Sequence, residues 1–195
     1  MNRIKRLWRR WNILSYWNGN PKAIDRLYLM EDPWNLNTAG EHFRFKETAN
    51  FIRRHIGENL GAILEVGCGE GLQTEVLAPL ATRIVGIDPS ANAIARAKKR
   101  AIPNSSFEVG NLSDYITGAN RKFDLVTACE VLYYFPDTES AYQKLCSLGK
   151  CSLVTYYEGV ADKLDPFFLA KGHRLSTIKQ GTSIWNVVWW KNEAA

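Results

Sequence analysis

No stretch of this 195-residue sequence approaches the roughly 18 to 20 uninterrupted apolar residues of a membrane-spanning helix, which argues against a helical membrane protein. The four cysteines, Cys68, Cys129, Cys146 and Cys151, form no C-x-x-C pair and have no H-x-x-x-H partner. Zinc spacing is therefore missing, and no metal site is expected. The basic N-terminus leads into Trp11, Asn12, Ser15 and Asn18 rather than a continuous apolar run with a small-residue cleavage site. A cytoplasmic location with reduced thiols is the expectation. Acidic residues are absent before Asp25, while Arg3, Lys5, Arg6, Arg9, Arg10 and Lys22 precede it. Those six cations more than account for the net charge of +5 and leave the rest of the chain at −1. The body thus has no net field to recommend it as a nucleic-acid binder.

What is present suits one compact domain: 46% hydrophobic, 12% aromatic and 23% charged residues. Ile4, Leu7, Trp8, Trp11 and Leu14 share one helical face opposite five cations. This basic helix either docks on the domain, the favoured reading, or makes peripheral contact with an anionic membrane. Thr38 and Glu41 form a capping box that opens a helix through Phe45, Ala49, Ile52 and Ile56, ended by Gly57. Apolar runs at 62–66, 83–87, 107–109, 123–128 and 151–157 have strand length, and 90–100 and 137–148 carry helical patterns. Strands alternating with helices indicate an α/β fold with a mostly parallel sheet and helices on both faces. Segments 173–179 and 183–191 lie too close for a crossover helix and predict a C-terminal antiparallel hairpin. Residues 1–58 read as a helical cover and 59–195 as the core, together one structural domain.

The stretch Ile63-Leu64-Glu65-Val66-Gly67-Cys68-Gly69-Glu70-Gly71-Leu72-Gln73-Thr74 reads as a strand, a glycine-rich turn and a helix start. Bare backbone and free helix N–H groups there suit a ligand with a polar or anionic group. A dinucleotide fingerprint would need Gly or Ala where Leu72 stands, and Glu65 would repel a pyrophosphate while welcoming an amino group. Asp88 ends the second strand, 21 positions after Gly67, where an α/β nucleoside site places the carboxylate for the ribose hydroxyls. Ser90 is free to cap the helix that follows.

In combination, E-V-G-C-G-E-G at 65–71, I-V-G-I-D at 84–88 and F-D-L-V-T-A-C-E-V-L-Y-Y-F at 123–135 resemble the class I S-adenosylmethionine-dependent methyltransferases, over residues 60 to 190. The resemblance implies a Rossmann-like doubly wound sheet, S-adenosylmethionine as cofactor and S-adenosylhomocysteine as product. It also implies that Glu65, Gly67, Cys68, Gly69 and Gly71 lie against the methionine part, and that Asp88 and Pro89 serve the ribose. Asn111 and Leu112 would meet the adenine, with Asn111 where the family usually carries Asp, and Cys129 and Glu130 would line the methyl end. Upstream, Glu31-Asp32-Pro33-Trp34-Asn35 and the capped helix with His42, Arg44 and Phe45 resemble the nodulation-type N-methyltransferases acting on deacetylated chitooligosaccharides. On that resemblance Trp34 covers the cofactor.

The implied chemistry is in-line displacement at a sulfonium methyl by an acceptor nitrogen or oxygen. Glu130 and His42 are the candidates for handling an acceptor proton, and Tyr133, Tyr134, Tyr156 and Tyr157 for touching the acceptor, a small molecule or saccharide that a carrier could present. No N-P-P-[YF] tetrad or Pro-Cys pair follows strand 4, which excludes the base- and glutamine-modifying subclasses and covalent pyrimidine methylation. The other reading is a methyltransferase-like module that binds the cofactor for a regulatory or assembly role.

Overall fold

The computed structural model describes residues 21–115 and 123–192, so the basic segment 4–14 lies outside the described residues. Pro21 opens α1 (Pro21–Leu27), as its fixed φ and missing N–H favour at a first helical position. Thr38 caps α2 (Ala39–His55) by accepting the Glu41 amide at 3.3 Å. There follow β1 (Leu60–Val66), α3 (Leu72–Leu77), β2 (Ala81–Asp88), α4 (Ala91–Lys99), β3 (Ser105–Val109), β4 (Phe123–Cys129), α5 (Thr138–Leu148), β5 (Gly149–Tyr157), α6 (Ala161–Ala170), β6 (Leu175–Gln180) and β7 (Ser183–Lys191). Of these, α6 left no mark in the sequence reading, because Pro166 sits inside it.

One seven-stranded sheet runs in the order β3-β2-β1-β4-β5-β7-β6. The pairs among β1 to β5 are parallel, while β7 runs antiparallel to both β5 and β6. Gly181, at φ 57°, makes the tight turn of the expected hairpin, with Gln180 paired to Ser183.

Side chains alternate between two cores. Ala62, Leu64 and Val66 of β1 join Val126, Val154 and Val188 under Leu145, Leu164 and Phe168. Ile63 instead joins Ile84, Leu125 and Leu153 under Ile52 of α2 and Leu77 of α3. Both faces of the sheet are covered, which is why its strands read as unbroken apolar runs.

At the amino ends of the strands one carboxylate ties three of them. Asp124 Oδ2 accepts the amides of Gly61 (2.7 Å) and Ala62 (3.1 Å), and Oδ1 accepts Lys150 Nζ (2.7 Å). The Lys150 hydrogen bond, helped by the two amides, holds the Asp124 carboxyl below the ordinary carboxylate range. Such a group contributes stability that is present above the unfolded pKa near 3.8 and is lost as pH falls through the lower folded value. Asp124→Ala should cost about 1 to 3 kcal/mol at pH 7, from the two lost amide hydrogen bonds at about 0.5 to 1.5 each, the exposed Lys150 pair adding little, with a smaller penalty at pH 3. Urea unfolding at both pH values checks this, and an equal penalty at both would contradict it.

Candidate active site

The strand order reverses between β1 and β4, and ligands of open α/β sheets sit at the carboxyl ends of the strands beside such a switch point. A cleft of about 1150 Å³ opens there. Its floor is the loops after β1, β2, β3 and β4, and residues from α1, α2 and the segment between them form its cover. Trp34, Glu65, Gly67, Cys68, Gly69, Asp88, Pro89, Asn111, Leu112, Cys129, Glu130, Tyr133, Tyr134 and Tyr157 all border it.

The turn after β1 is glycine for steric reasons. At Gly67 (φ 71°) a Cβ would stand 2.2 Å from Val131 Cγ1, and at Gly69 (φ 53°) one would stand 2.8 Å from the Tyr28 hydroxyl. Any side chain would fill the narrow part of the cleft. Beneath the turn, Asp88 is 5% exposed; its Oδ2 accepts the Gly69 amide at 3.0 Å and its Oδ1 the Ser90 amide at 2.9 Å. Ser90 caps α4 through Ala93, so Asp88 is not consumed as a helix cap. Burial raises the Asp88 carboxyl to about 6 against the pull of those two amides.

Glu65 is buried on the β1 face that meets α2 and α3, and accepts the Thr74 hydroxyl. Burial raises it to about 7, opposed by the Thr74 hydrogen bond and by the charge of Arg44. Arg44, 2% exposed, donates to Glu41 (2.8 Å) and Gln73 Oε1 (2.9 Å) and lies over the Phe45 ring. Gln73 Nε2 is buried with no hydrogen-bond partner among the described residues. A guanidinium and a spare amide donor thus stand across from a buried carboxylate, a charge arrangement complementary to an amino-acid head group.

Glu130 follows β4 at φ 59°, an uncommon conformation for a non-glycine residue. Its Oε1 accepts the Thr155 hydroxyl at 3.0 Å, and Oε2 accepts the Tyr157 amide at 2.9 Å and the Tyr133 hydroxyl at 3.5 Å. Burial raises the Glu130 carboxyl above its ordinary range, with Arg44 opposing. Above it runs an aromatic chain: Trp34 to Tyr134 at 5.6 Å between centroids, Tyr134 to Tyr133 at 4.5 Å and Tyr133 to Tyr157 at 5.6 Å.

Three expected site residues lie elsewhere. Tyr156 is fully buried in the core under α6, stacked on Phe168 with its hydroxyl donating to Asp165 at 2.7 Å, because adjacent strand residues face opposite sides and Tyr157 takes the cleft side. His42 is exposed: it lies about 120° around α2 from buried Thr48, so Glu41, Arg44 and Phe45 reach the cleft instead. Gly71 (φ 78°) is the N-cap of α3, and a Cβ on it would meet Phe107, Ala97 and Arg100 behind the turn. Conversely, Tyr28 and Gln73 border the cleft without having been expected. Tyr28 carried no motif, and Gln73 only helical phase.

The profile of the Nodulation protein S (NodS) family matches residues 18–151, from ahead of α1 through the glycine turn and β4 to the start of β5. The chain belongs to the NodS family. Nodulation protein S of Bradyrhizobium diazoefficiens is 32% identical over 130 residues, 66% of this chain and 61% of that protein. Ubiquinone biosynthesis O-methyltransferase of Actinobacillus pleuropneumoniae is 27% identical over 114 residues, 55% of this chain and 49% of that one. The chain spans about half to three fifths of the length of the NodS relatives it matches. In structure it is similar to the N-methyltransferase NodS of Bradyrhizobium japonicum WM9 in complex with S-adenosyl-L-homocysteine, with a TM-score of 0.70 at 22% identity over 89% of this chain and 98% of that one. The fold is that of the Rossmann-like class I methyltransferases, as the motifs at 65–71, 84–88 and 123–135 implied. Among the described residues no group of three or more His, Cys, Asp and Glu is placed to hold a metal ion, and no helix is long and apolar enough to cross a membrane.

A carboxyl whose pKa is higher folded than unfolded binds more protons in the folded state. The stability it lends is complete below the unfolded value near 4.5 and is lost as pH rises through about 7 for Glu65. Relative to the parent chain, Glu65→Gln should therefore be more stabilising at pH 8 than at pH 5. Thermal unfolding of the unliganded protein at the two pH values tests this, and a larger benefit at pH 5 would contradict it.

Proposed function

We propose that this chain is an S-adenosylmethionine-dependent methyltransferase whose acceptor atom is the nitrogen of an amine, carried by a saccharide or a comparable extended molecule. The observation that carries the reading is the buried Asp88 carboxylate beside the bare Gly67 and Gly69 backbone in one cleft. The cofactor fits the residues present. Asp88 would take the ribose hydroxyls, Glu65 the ammonium and Arg44 with Gln73 Nε2 the carboxylate of the methionine part, and Asn111 with Leu112 the adenine side. That assignment gives the unpartnered Gln73 amide an acceptor.

When bound, the cofactor supplies an electrophilic methyl group on a sulfonium. The chain must align an acceptor with it and keep water away. Trp34, Tyr133, Tyr134 and Tyr157 supply apolar surface and π faces for a protonated amine, worth about 0.5 to 2 kcal/mol for a cation over a ring. Glu130 stands where it can hold that ammonium and receive its proton before attack. Nitrogen is favoured over oxygen because this carboxylate lies under aromatic rings, an arrangement matched to a cation; the similar structure described as an N-methyltransferase adds to it. With radiolabelled cofactor, a chito-oligomer bearing free amines should accept methyl and its fully N-acetylated counterpart should not; transfer to both would point to oxygen.

Asp88→Ala should weaken S-adenosylhomocysteine binding by about 1.5 to 3 kcal/mol, roughly 10- to 150-fold by calorimetry, and unchanged affinity in a folded variant would remove the ribose assignment. Glu130→Gln should lower kcat by about 100-fold or more and flatten the acidic limb of kcat/KM. In the parent that limb should fall at a pH above the usual carboxylate range, since burial raises Glu130 and the ionised form is the one that receives the proton.

A further inference from the structure

Resting on the cofactor reading above, we propose that Tyr28 contacts the bound cofactor and that Arg96, on α4, is the residue that positions it. Tyr28 lies just past the last residue of α1, with its amide donating to the Ile24 carbonyl at 3.2 Å. It is nevertheless 4% exposed, borders the cleft, and holds its hydroxyl against Gly69, within electrostatic reach of Asp88. The Trp34 ring stands edge-on to the Tyr28 ring at 6.5 Å between centroids. A phenol at that point can donate to a ligand lying on the Gly69 backbone, beside the carboxylate that takes the ribose.

Its placement comes from a guanidinium 68 positions further along the chain. Arg96 Nη2 donates to the Tyr28 carbonyl, and Nη1 donates to the Met30 carbonyl at 3.0 Å and pairs with the Glu70 carboxylate. Glu70 is part of the glycine turn, so one planar fork joins the floor of the cleft to its cover. A second latch lies one helical turn back: Asp25 Oδ1 accepts the Ser90 hydroxyl (2.7 Å) and the Asn92 amide (3.0 Å) at the start of α4. The gap between Tyr28 and Gly69 is therefore set from α4. Arginine suits the task because it offers several donors in fixed directions, which lysine does not.

The test is a double-mutant cycle on S-adenosylhomocysteine affinity, measured by calorimetry on the full chain with Tyr28→Phe, Arg96→Ala, Arg96→Lys and the Tyr28→Phe/Arg96→Ala pair. Tyr28→Phe should weaken binding about three- to tenfold, the loss of one neutral hydrogen bond. Arg96→Ala should weaken it at least as much, with kcat at saturating cofactor within about twofold of the parent. Arg96→Lys should recover only part of the loss. Because both residues act through one phenol, the pair should be no weaker than Arg96→Ala alone. Full additivity, or parent affinity in both single variants, would overturn the inference while leaving the cofactor reading intact; if Arg96→Ala fails to fold, unchanged affinity of Tyr28→Phe still overturns it. Absence of binding by the parent chain would instead overturn that reading, and this inference with it.

Discussion

The Asp88 carboxylate receives the amide of Gly69 from the loop after β1 and the amide of Ser90 from the loop after β2. The first bond ties the end of β2 to the loop after the neighbouring parallel strand β1, and the second closes the turn that follows β2. A buried carboxylate is costly unless charge-assisted hydrogen bonds offset its desolvation, and here both partners are backbone groups that cannot move away without unravelling a turn. The rest of the cleft takes its dimensions from this arrangement. Gly69 lies at the height Asp88 dictates, Tyr28 closes on Gly69, and Trp34 and then Tyr134 extend outward from Tyr28 through edge-on and tilted ring contacts.

The acidic character of the site is divided by environment. Glu65 and Asp88 are buried carboxylates pushed toward neutral pH, and Arg44 is the cation that reaches both Glu65 and Glu130. Without a ligand, those carboxylates are held at a cost to folding, which is a common feature of binding sites. In the proposed function each has a partner of opposite charge or a donor to meet. The cost is then recovered on binding, and ligand affinity should respond to pH in the range where these groups ionise.

Much of this was legible in the sequence, and what was not has physical reasons. The turn at Gly67 and Gly69, the carboxylate at the end of β2 and the hairpin at Gly181 are written in local patterns, because each depends on neighbours within a few residues. Tyr156 and His42 fall away from the cleft through strand and helix phase, whereas Gly71, at the N-cap of α3, faces Phe107 and Ala97 behind the turn. A tyrosine pair in a strand offers one residue to each face, and only the packing of α6 on the sheet decides which. Tyr28, Gln73 and Arg96 owe their positions to contacts between segments far apart in sequence, 29 residues for Arg44 with Gln73 and 66 to 68 for Arg96 with the cover. No local period encodes such pairs.

In the proposed function one cleft holds S-adenosylmethionine by its polar ends and presents the methyl group to the Glu130 side. A crystal structure of the chain with S-adenosylhomocysteine tests it most directly. The ribose hydroxyls should lie on Asp88, the methionine ammonium toward Glu65 and its carboxylate toward Arg44, and the sulfur should face Glu130 and Tyr133. A ligand bound outside this cleft, or one lying in it with the adenine toward Glu65, would rule out the proposed function of the cleft.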